Sequence, residues 1–290
     1  MKEIDLKAMA KINLSLDVVR RREDGYHEVR MIMQTVNLYD EITLKKTTTT
    51  AGINVITDVE FLPTNQDNLV YKAAKLLMDE FQIQEGLEIT LKKSIPVAAG
   101  MAGGSADAAA VLLGVNELFS LSLSKEQLME RGVKIGADVP YCVLGGTALA
   151  EGIGEKLTPL PDAPECYVLI AKPDIEVSTK FVYENLHANQ LKVHPDIDGM
   201  IEEIQQGSLL GVADKMGNVL ETVTVKAYPV IQEIKDTMKQ NGAVNSMMSG
   251  SGPTVFGLFD TKELAQQAEE ALKTRNDLST LLITTLVHRG

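Results

Sequence analysis

Cysteine is scarce in this chain, and basic charge is not in excess. Cys142 and Cys166 are the only cysteines among 290 residues, too few for a disulfide scaffold, and both lie beside apolar residues. We therefore expect two reduced thiols in the core of a cytoplasmic protein. The 28 basic side chains are outnumbered by 40 acidic ones, which gives a net charge of −12. This balance argues against nucleic acid or an anionic membrane as the main partner, because both require a broad basic surface.

Long apolar runs are also absent. No stretch approaches the ~18 consecutive apolar residues of a membrane helix. The N-terminal sequence "MKEIDLKAMAKINLSL" lacks the apolar core and cleavage site of a secretory signal. With 44% hydrophobic and 23% charged residues, the composition is that of a packed globular protein. At ~100–200 residues per domain, the length favours two domains.

Strand and helix patterns interleave along both halves of the chain. The first 45 residues alternate like paired strands, with Asp24-Gly25 as the hairpin turn between them. A helix is predicted from Asn68 to Phe81, and a later one begins at the cap Ser124 and stops at Gly136. The pattern indicates an α+β or α/β fold, but not a Rossmann domain, because the chain opens with a hairpin. Three prolines in "EKLTPLPDAPE" predict a boundary between domains of residues 1–158 and 159–290.

The densest glycine loop precedes an alanine-rich helix in "PVAAGMAGGSADAAAVLLG", residues 96–114. It lacks the Gly-Lys-Ser/Thr ending of a P-loop. A helix N-terminus binds anions through its unpaired N–H groups without a basic side chain, and Ser105 adds a hydroxyl. The loop is therefore interpreted as a cradle for a nucleotide triphosphate, with a tightly packed glycine turn as the alternative. Alanine at position 102 predicts an ordinary negative φ there.

Three further features are candidates for a functional site, and each is a weak indication when taken alone. Lys11 and Asn13 project on one polar face of a strand, which either lines a cleft or faces solvent. Asp138, in "GADVP", is predicted to lie in a loop, where it is either a functional carboxylate or a turn residue. The second glycine turn, "SGSGPT", is a plain hairpin or a lid over phosphates. Their order along the chain is more specific than any one of them.

Four runs, "AKINLSLDV", "PVAAGMAGGSADAA", "GADVPYCVLGGTALAEGIGE" and "SGSGPTVFGLF", resemble the superfamily of galactokinase, homoserine, mevalonate and phosphomevalonate kinases. The resemblance spans residues 8–259. It implies a two-domain α+β fold with a ribosomal-protein-like N-terminal domain, a ferredoxin-like C-terminal domain and an active site in the cleft between them. It also implies ATP as co-substrate, with Mg²⁺ bridging its phosphates.

The resemblance carries over to individual residues. Lys11 and Asp138 align with a catalytic pair, in which a carboxylate accepts the proton of the attacking hydroxyl and an ammonium keeps that carboxylate ionised. Ser105 is a candidate metal ligand, whereas Ala106 replaces a second serine of the superfamily. The ATP-binding loop comprises Pro96, Val97, Ala98, Ala99, Gly100, Met101, Ala102, Gly103, Gly104, Ser105 and Ala106.

The runs "DGYHEV" and "VSTKFVY" resemble the members that phosphorylate 4-diphosphocytidyl-2-C-methyl-D-erythritol in non-mevalonate isoprenoid biosynthesis. In these members Tyr26 would stack on the cytosine and His27 would bond its edge. Thr179 and Tyr183 occupy the positions where these members have a substrate-binding threonine and an aromatic residue opposite it. Asn13 would hold the erythritol end of the substrate. The alignment places Asn68 and Lys93 near adenosine.

Other functions remain open from the sequence. Another kinase of the superfamily, acting on mevalonate or homoserine, would not explain "GYH". A nucleotide-binding regulatory protein would have no need of both Lys11 and Asp138, and a purely structural protein would not bind ATP. The expected partners are small molecules only, and the expected assembly is a monomer or weak homodimer.

Overall fold

The computed structural model describes residues 2–48 and 52–289. Its contacts divide the chain into two compact units, each built from several stretches. The first unit contains the chain up to Ala10 together with Leu38–Val97 and Ala102–Leu144. The second contains Lys11–Asn37, Ala98–Met101 and the chain from Gly145 onward.

Two long strands open the chain, as the alternating pattern predicts. They are β1, Glu3–Arg21, and β2, His27–Thr47. The turn between them is closed by the Arg22 N–H, which donates to the Tyr26 carbonyl at 2.8 Å. Gly25 adopts a φ of 88°, so the Asp24-Gly25 hairpin prediction is confirmed. The polar face of β1 is not solvated, however, because Lys11 and Asn13 are buried together with the apolar face.

The first unit covers a sheet with four helices. Strand β3, Ile53–Thr57, runs parallel to β4, Gly86–Lys92, which pairs antiparallel with residues 41–47 of β2. The predicted helix after residue 68 is confirmed as α1, Leu69–Glu80, and Asn68 caps it by accepting from the Val70 N–H at 3.0 Å. The other helices are α2, Gly103–Leu118, α3, Lys125–Gly132, and α4, Val139–Leu144. Helix α2 packs against α1 and α4.

Helix α3 begins where the sequence predicts and ends earlier. Ser124 and Gln127 form a reciprocal capping box, which confirms the predicted cap. The predicted stop at Gly136 is wrong, because the helix ends at Gly132. The N–H groups of Ile135 and Gly136 both donate to the Gly132 carbonyl, at 2.9 and 3.1 Å, so a tight turn replaces the last helical turn.

The second unit contains two further strands that extend the first sheet, and a separate second sheet. Strand β5, Thr147–Gly152, pairs with residues 29–34 of β2, and β6, Lys156–Pro159, pairs with β5. The second sheet has the order β10-β7-β9-β8, all antiparallel, from Tyr167–Pro173 (β7), Asn245–Met248 (β8), Val255–Phe259 (β9) and Leu278–Thr285 (β10).

Six helices and one short 3-10 turn complete the second unit. They are α5, Thr179–Asn185, the 3-10 turn Ala188–Gln190, α6, Ile197–Gln206, α7, Leu209–Asp214, α8, Glu221–Ala227, α9, Val230–Gln240, and α10, Lys262–Lys273. Helices α9 and α10 pack on the second sheet, where α9 buries Ile231, Ile234 and Met238. This amphipathic packing follows from apolar residues spaced three and four apart.

Neither Cys142 nor Cys166 forms a disulfide, as the sequence predicts, but the predicted core position is wrong for Cys142, which is half-buried. Cys166 is buried, and this burial raises the pKa of its thiol to about 12. Across the described residues, none of the helices combines the length and the apolar character needed to cross a membrane.

Candidate active site

The N-terminus of α2 presents backbone N–H groups that lack acceptors within the helix. The first intrahelical bond runs from the Ala106 N–H to the Ala102 carbonyl at 2.8 Å. The N–H groups of Gly103, Gly104 and Ser105 therefore have no helical partner. In this first turn, all of which the structure describes, there is no capping side chain and no acidic residue. Such a terminus attracts an anion through its N–H groups and the helix dipole.

The backbone that leads into this helix is strained. Ala102 adopts a φ of 57° and a ψ of 29°, so the negative φ predicted for this alanine is wrong. Ala98, four residues earlier, also has a positive φ, of 52°. A left-handed alanine costs roughly 1–2 kcal/mol because its Cβ approaches the following carbonyl oxygen. Strain of this kind persists only where neighbouring contacts enforce it, and it concentrates at binding sites.

The second glycine turn presses on the middle of the loop within the second unit. The turn joins the antiparallel neighbours β8 and β9, so it is a hairpin. The Ser249 hydroxyl donates to the Gly100 carbonyl at 3.0 Å. A Cβ on Gly100 would lie only 2.2 Å from the Ser249 carbonyl oxygen, and its φ is 72°. Glycine is therefore required at position 100 by both conformation and space.

Lys11 and Asn13 are brought together on β1 by the two-residue strand period. The Lys11 ammonium donates to the Asn13 carboxamide oxygen at 2.7 Å, and the Asn13 amide donates to the Met31 sulfur at 3.2 Å. Both polar side chains are buried, with Lys11 only 4% exposed. The backbone N–H of Lys11 also donates to the Met101 carbonyl of the loop at 3.2 Å. These bonds place the Lys11 backbone against Met101 of the loop and hold its ammonium on Asn13.

The turn before Asp138 lies close to Ser105 within the first unit. Asp138 directly precedes α4, where its carbonyl accepts from the Cys142 N–H at 3.1 Å. A Cβ on Gly136 would lie 3.7 Å from the Ser105 hydroxyl oxygen, so this hydroxyl faces the turn that carries Asp138. Lys11 belongs to the other unit. Its pairing with Asp138 stays a prediction.

The predicted substrate residues occur on the β1–β2 turn and on α5. The His27 and Tyr183 rings are 5.0 Å apart between centroids and inclined by 35°, whereas Tyr26 is 61% exposed beside the turn. Burial lowers the pKa of His27, and the positive charge of Arg21 adds to this effect. The imidazole is therefore neutral near pH 7, able to donate from one nitrogen and accept at the other. The Thr179 hydroxyl bonds the Ser251 hydroxyl at 2.8 Å.

The two residues that the alignment places near adenosine have other partners. The Asn68 amide donates to the Pro63 carbonyl at 2.7 Å while its oxygen caps α1. The Lys93 ammonium lies between two buried carboxylates, those of Asp40 and Asp107. Sequence reasoning missed Asp40. The available signal was an acidic residue on a strand face otherwise formed by Leu38, Ile42 and Leu44, all of them buried.

Comparisons with known proteins identify the family. The model of the GHMP kinases N terminal domain matches residues 68–146, and that of the GHMP kinases C terminal matches residues 200–277. A curated relative from Lachnoclostridium phytofermentans, named 4-diphosphocytidyl-2-C-methyl-D-erythritol kinase, is 59% identical over 91% of each chain. The chain belongs to the GHMP kinase family.

Two further relatives agree with this membership. A curated protein of the same name from Lachnospira eligens is 55% identical over 96% of each chain. A crystal structure of 4-(cytidine 5'-diphospho)-2C-methyl-D-erythritol kinase superposes with a TM-score of 0.83 at 31% identity and covers 99% of this chain and 100% of that one. The predicted two-domain α+β kinase fold is confirmed. The two family regions fall on either side of the boundary at 158/159, which itself stays a prediction.

Membership makes this protein a kinase with ATP as phosphoryl donor and a small molecule as acceptor. Catalysis of phosphoryl transfer depends mainly on positioning and on stabilisation of negative charge. The uncapped terminus of α2 and the buried Lys11 ammonium have the charge that this chemistry needs.

Proposed function

We propose that the protein transfers the γ-phosphoryl group of ATP to the 2-hydroxyl of 4-diphosphocytidyl-2-C-methyl-D-erythritol. The products are the 2-phosphate and ADP, and the step belongs to non-mevalonate isoprenoid biosynthesis. The identity of 59% over 91% of the chain to a kinase named for this substrate carries the proposal. The contact between His27 and Tyr183 supports it, because two adjacent rings suit a nucleobase.

In this proposal the glycine loop, residues 96–106, holds the triphosphate. The N–H groups of Gly103, Gly104 and Ser105 donate to phosphate oxygens, and the dipole of α2 favours the negative charge. Glycine at positions 103 and 104 lets a phosphate chain approach the backbone closely. The helix terminus thus replaces the lysine that a P-loop would supply.

Asp138 and Lys11 would act on the acceptor hydroxyl. The Asp138 carboxylate accepts the hydroxyl proton as the oxygen attacks the γ-phosphorus. The Lys11 ammonium stabilises charge that develops on the transferred group. Asn13, whose oxygen accepts from Lys11 at 2.7 Å, orients the ammonium and holds the erythritol end of the substrate.

The donor set fits an Mg²⁺ ion carried mainly by the nucleotide. Among residues 2–48 and 52–289 no group of three His, Cys, Asp or Glu side chains could hold a metal. Mg²⁺ commonly keeps several waters and takes few protein oxygens beside substrate phosphates. The Ser105 hydroxyl, which faces the turn carrying Asp138, would supply one such oxygen. When bound, the ion would neutralise charge on the β- and γ-phosphates.

The cytidine would bind beside the β1–β2 turn. The exposed Tyr26 ring and the Tyr183 ring offer stacking faces, and stacking is worth roughly 1–3 kcal/mol per base. The neutral His27 can bond both donor and acceptor groups of the cytosine edge. Thr179 begins α5, and its hydroxyl would contact the substrate next to Ser251.

The partners in this proposal are small molecules, and the compartment is the cytoplasm. Two cysteines without a disulfide, one of them buried, suit a reducing environment. A monomer or weak homodimer is the assembly that we propose.

The test is ADP release with Mg-ATP and four acceptors, namely diphosphocytidyl-methylerythritol, mevalonate, homoserine and galactose. We expect turnover with the cytidylylated acceptor only. Turnover with another acceptor would leave the proposed roles of Lys11 and Asp138 in place but would rule out the proposed cytidine-binding site. ATP binding without turnover on any acceptor would reject the reaction and favour a regulatory role.

A further inference from the structure

A buried ion pair spans the base of the glycine loop. Lys93 follows the end of β4 and lies three residues before the loop begins at Pro96, and Asp107 directly follows its last residue, Ala106. The Lys93 ammonium donates to an Asp107 carboxylate oxygen at 2.7 Å. The two side chains are only 6% and 4% exposed. The pair therefore joins a residue three positions before the loop to the residue directly after it.

Asp40, on β2, holds the same lysine from the other side. Its carboxylate is fully buried, and one oxygen accepts from the Lys93 ammonium. The other oxygen accepts from the backbone N–H groups of Ser94 and Ile95, at 2.5 and 2.8 Å. Asp40 thus fixes three consecutive residues, 93–95, onto β2. These are the residues that lead directly into the loop.

The first residue of α2 rests on this cluster. A Cβ on Gly103 would lie 3.4 Å from the Lys93 ammonium nitrogen and 3.1 Å from a methyl carbon of Ile95. The N–H groups of α2 that face the proposed phosphate site therefore begin directly above the lysine. A displaced Lys93 would shift or loosen this first turn.

The charges of this cluster are not balanced as they would be in an ion pair that served only to stabilise the fold. Two carboxylates share one ammonium, and one Asp107 oxygen is buried without a hydrogen-bond partner. Burial lowers the pKa of Lys93, but the two carboxylates outweigh this effect and raise its pKa overall. A buried ionic group of this kind is weak evidence for stability, because desolvation offsets the attraction.

We propose that Lys93 and Asp107, held by Asp40, form a clasp that positions the glycine loop for the triphosphate of ATP. The inference rests on the proposed function of the loop. The clasp residues do not touch the nucleotide in this scheme, so they are positioning residues. A preformed loop raises nucleotide affinity because it does not have to be ordered on binding.

Three variants test the clasp against a purely structural role. Lys93→Met removes the ammonium and leaves two buried carboxylates, whereas Lys93→Met/Asp107→Asn removes the ion pair and leaves Asp40 with its two backbone donors. Lys92→Met is the matched control, because Lys92 is the neighbour of Lys93 in the chain and its side chain is 66% exposed. For each protein we would measure the Kd of Mg-ADP by calorimetry, the KM of Mg-ATP and of the acceptor, and urea unfolding.

We expect Lys93→Met to lower stability and to weaken Mg-ADP binding by about tenfold or more, with the acceptor KM within about twofold of wild type. The double variant should recover stability, because no carboxylate is left facing a missing cation, yet still bind Mg-ADP weakly. The double variant also keeps the test usable if Lys93→Met fails to fold. Lys92→Met should match wild type throughout.

Two outcomes would overturn the clasp. One is a double variant that regains both stability and Mg-ADP affinity, which is the result of a structural role only. The other is wild-type Mg-ADP affinity in a folded Lys93→Met protein. A wild-type protein that does not bind Mg-ADP at all would instead overturn the proposed function, and the clasp with it.

Discussion

Replacing either of two glycines in the same loop with alanine should change the free energy of unfolding, in opposite directions at the two positions. Gly100 and Gly104 are four residues apart in "GMAGG", and their sequence context gives little reason to distinguish them. Gly100 has a φ of 72°, and a Cβ there would lie 2.2 Å from the Ser249 carbonyl oxygen. Gly104 lies in the first turn of α2, where a Cβ would make an ordinary 3.4 Å contact with Leu69.

The magnitudes follow from these environments. For Gly100→Ala the left-handed backbone costs roughly 1–2 kcal/mol. The contact with a backbone oxygen, which cannot rotate away, adds about 1–3 kcal/mol. The lower entropy of the unfolded alanine chain returns roughly 0.4–1 kcal/mol. Together these contributions give a net loss of about 1–4.6 kcal/mol, with a central value of about 3 kcal/mol. Gly104→Ala should instead gain about 0.5–1 kcal/mol, because alanine is the better helix former.

Urea unfolding of the wild type and both variants, monitored by circular dichroism, measures these differences. The urea midpoint should fall for Gly100→Ala and rise for Gly104→Ala. Gly100→Ala should also raise the KM of Mg-ATP, because the loop must move away from the Ser249 turn. A Gly100→Ala loss below about 1 kcal/mol would refute the steric argument. Equal losses in both variants would show that the loop is sensitive to any side chain rather than to these contacts.

Four other changes have defined outcomes. Ala102→Gly should raise the free energy of unfolding by about 1 kcal/mol, since glycine tolerates the φ of 57°, and an unchanged urea midpoint would mean that the strain is not there. Asp138→Asn should fold and bind Mg-ADP but lower kcat by roughly 10²–10⁴-fold, and near-wild-type turnover would remove Asp138 from the mechanism. Tyr26→Ala should raise the KM of the cytidylylated acceptor by about 1–3 kcal/mol in free-energy terms, with an unchanged KM for ATP, whereas an unaffected acceptor KM would contradict stacking. Burial raises the pKa of Asp107 from 3.8 to about 7, so its contribution to stability is complete below its ordinary pKa and is lost as the pH rises through 7. Unfolding at pH 5 and pH 8 should therefore show a smaller decrease for Asp107→Asn than for wild type, and equal decreases would place the titration elsewhere.

The fold elements that the sequence predicts well are those decided by neighbouring residues. The Asp24-Gly25 turn and the Ser124 cap depend on interactions within four positions, and both are confirmed. The pairing of Lys11 with Asn13 likewise follows from the strand period, which places alternate residues on one face. The predicted end of α3 at Gly136 is wrong, because the choice between a last helical turn and a tight turn is set by weak local preferences.

The sequence by itself determined the glycine loop, its helix and the resemblance to a kinase family, because each of these depends on short runs of consecutive residues. Only the tertiary structure decided the rest. Asp40, Lys93 and Asp107 are far apart along the chain and meet because β2, β4 and α2 pack together in one unit. The left-handed backbone of Ala102 contradicts its own preference, since contacts around the loop outweigh a cost of roughly 1–2 kcal/mol. Interactions between neighbouring residues determine the turns, caps and helices, and tertiary packing determines which buried groups come into contact.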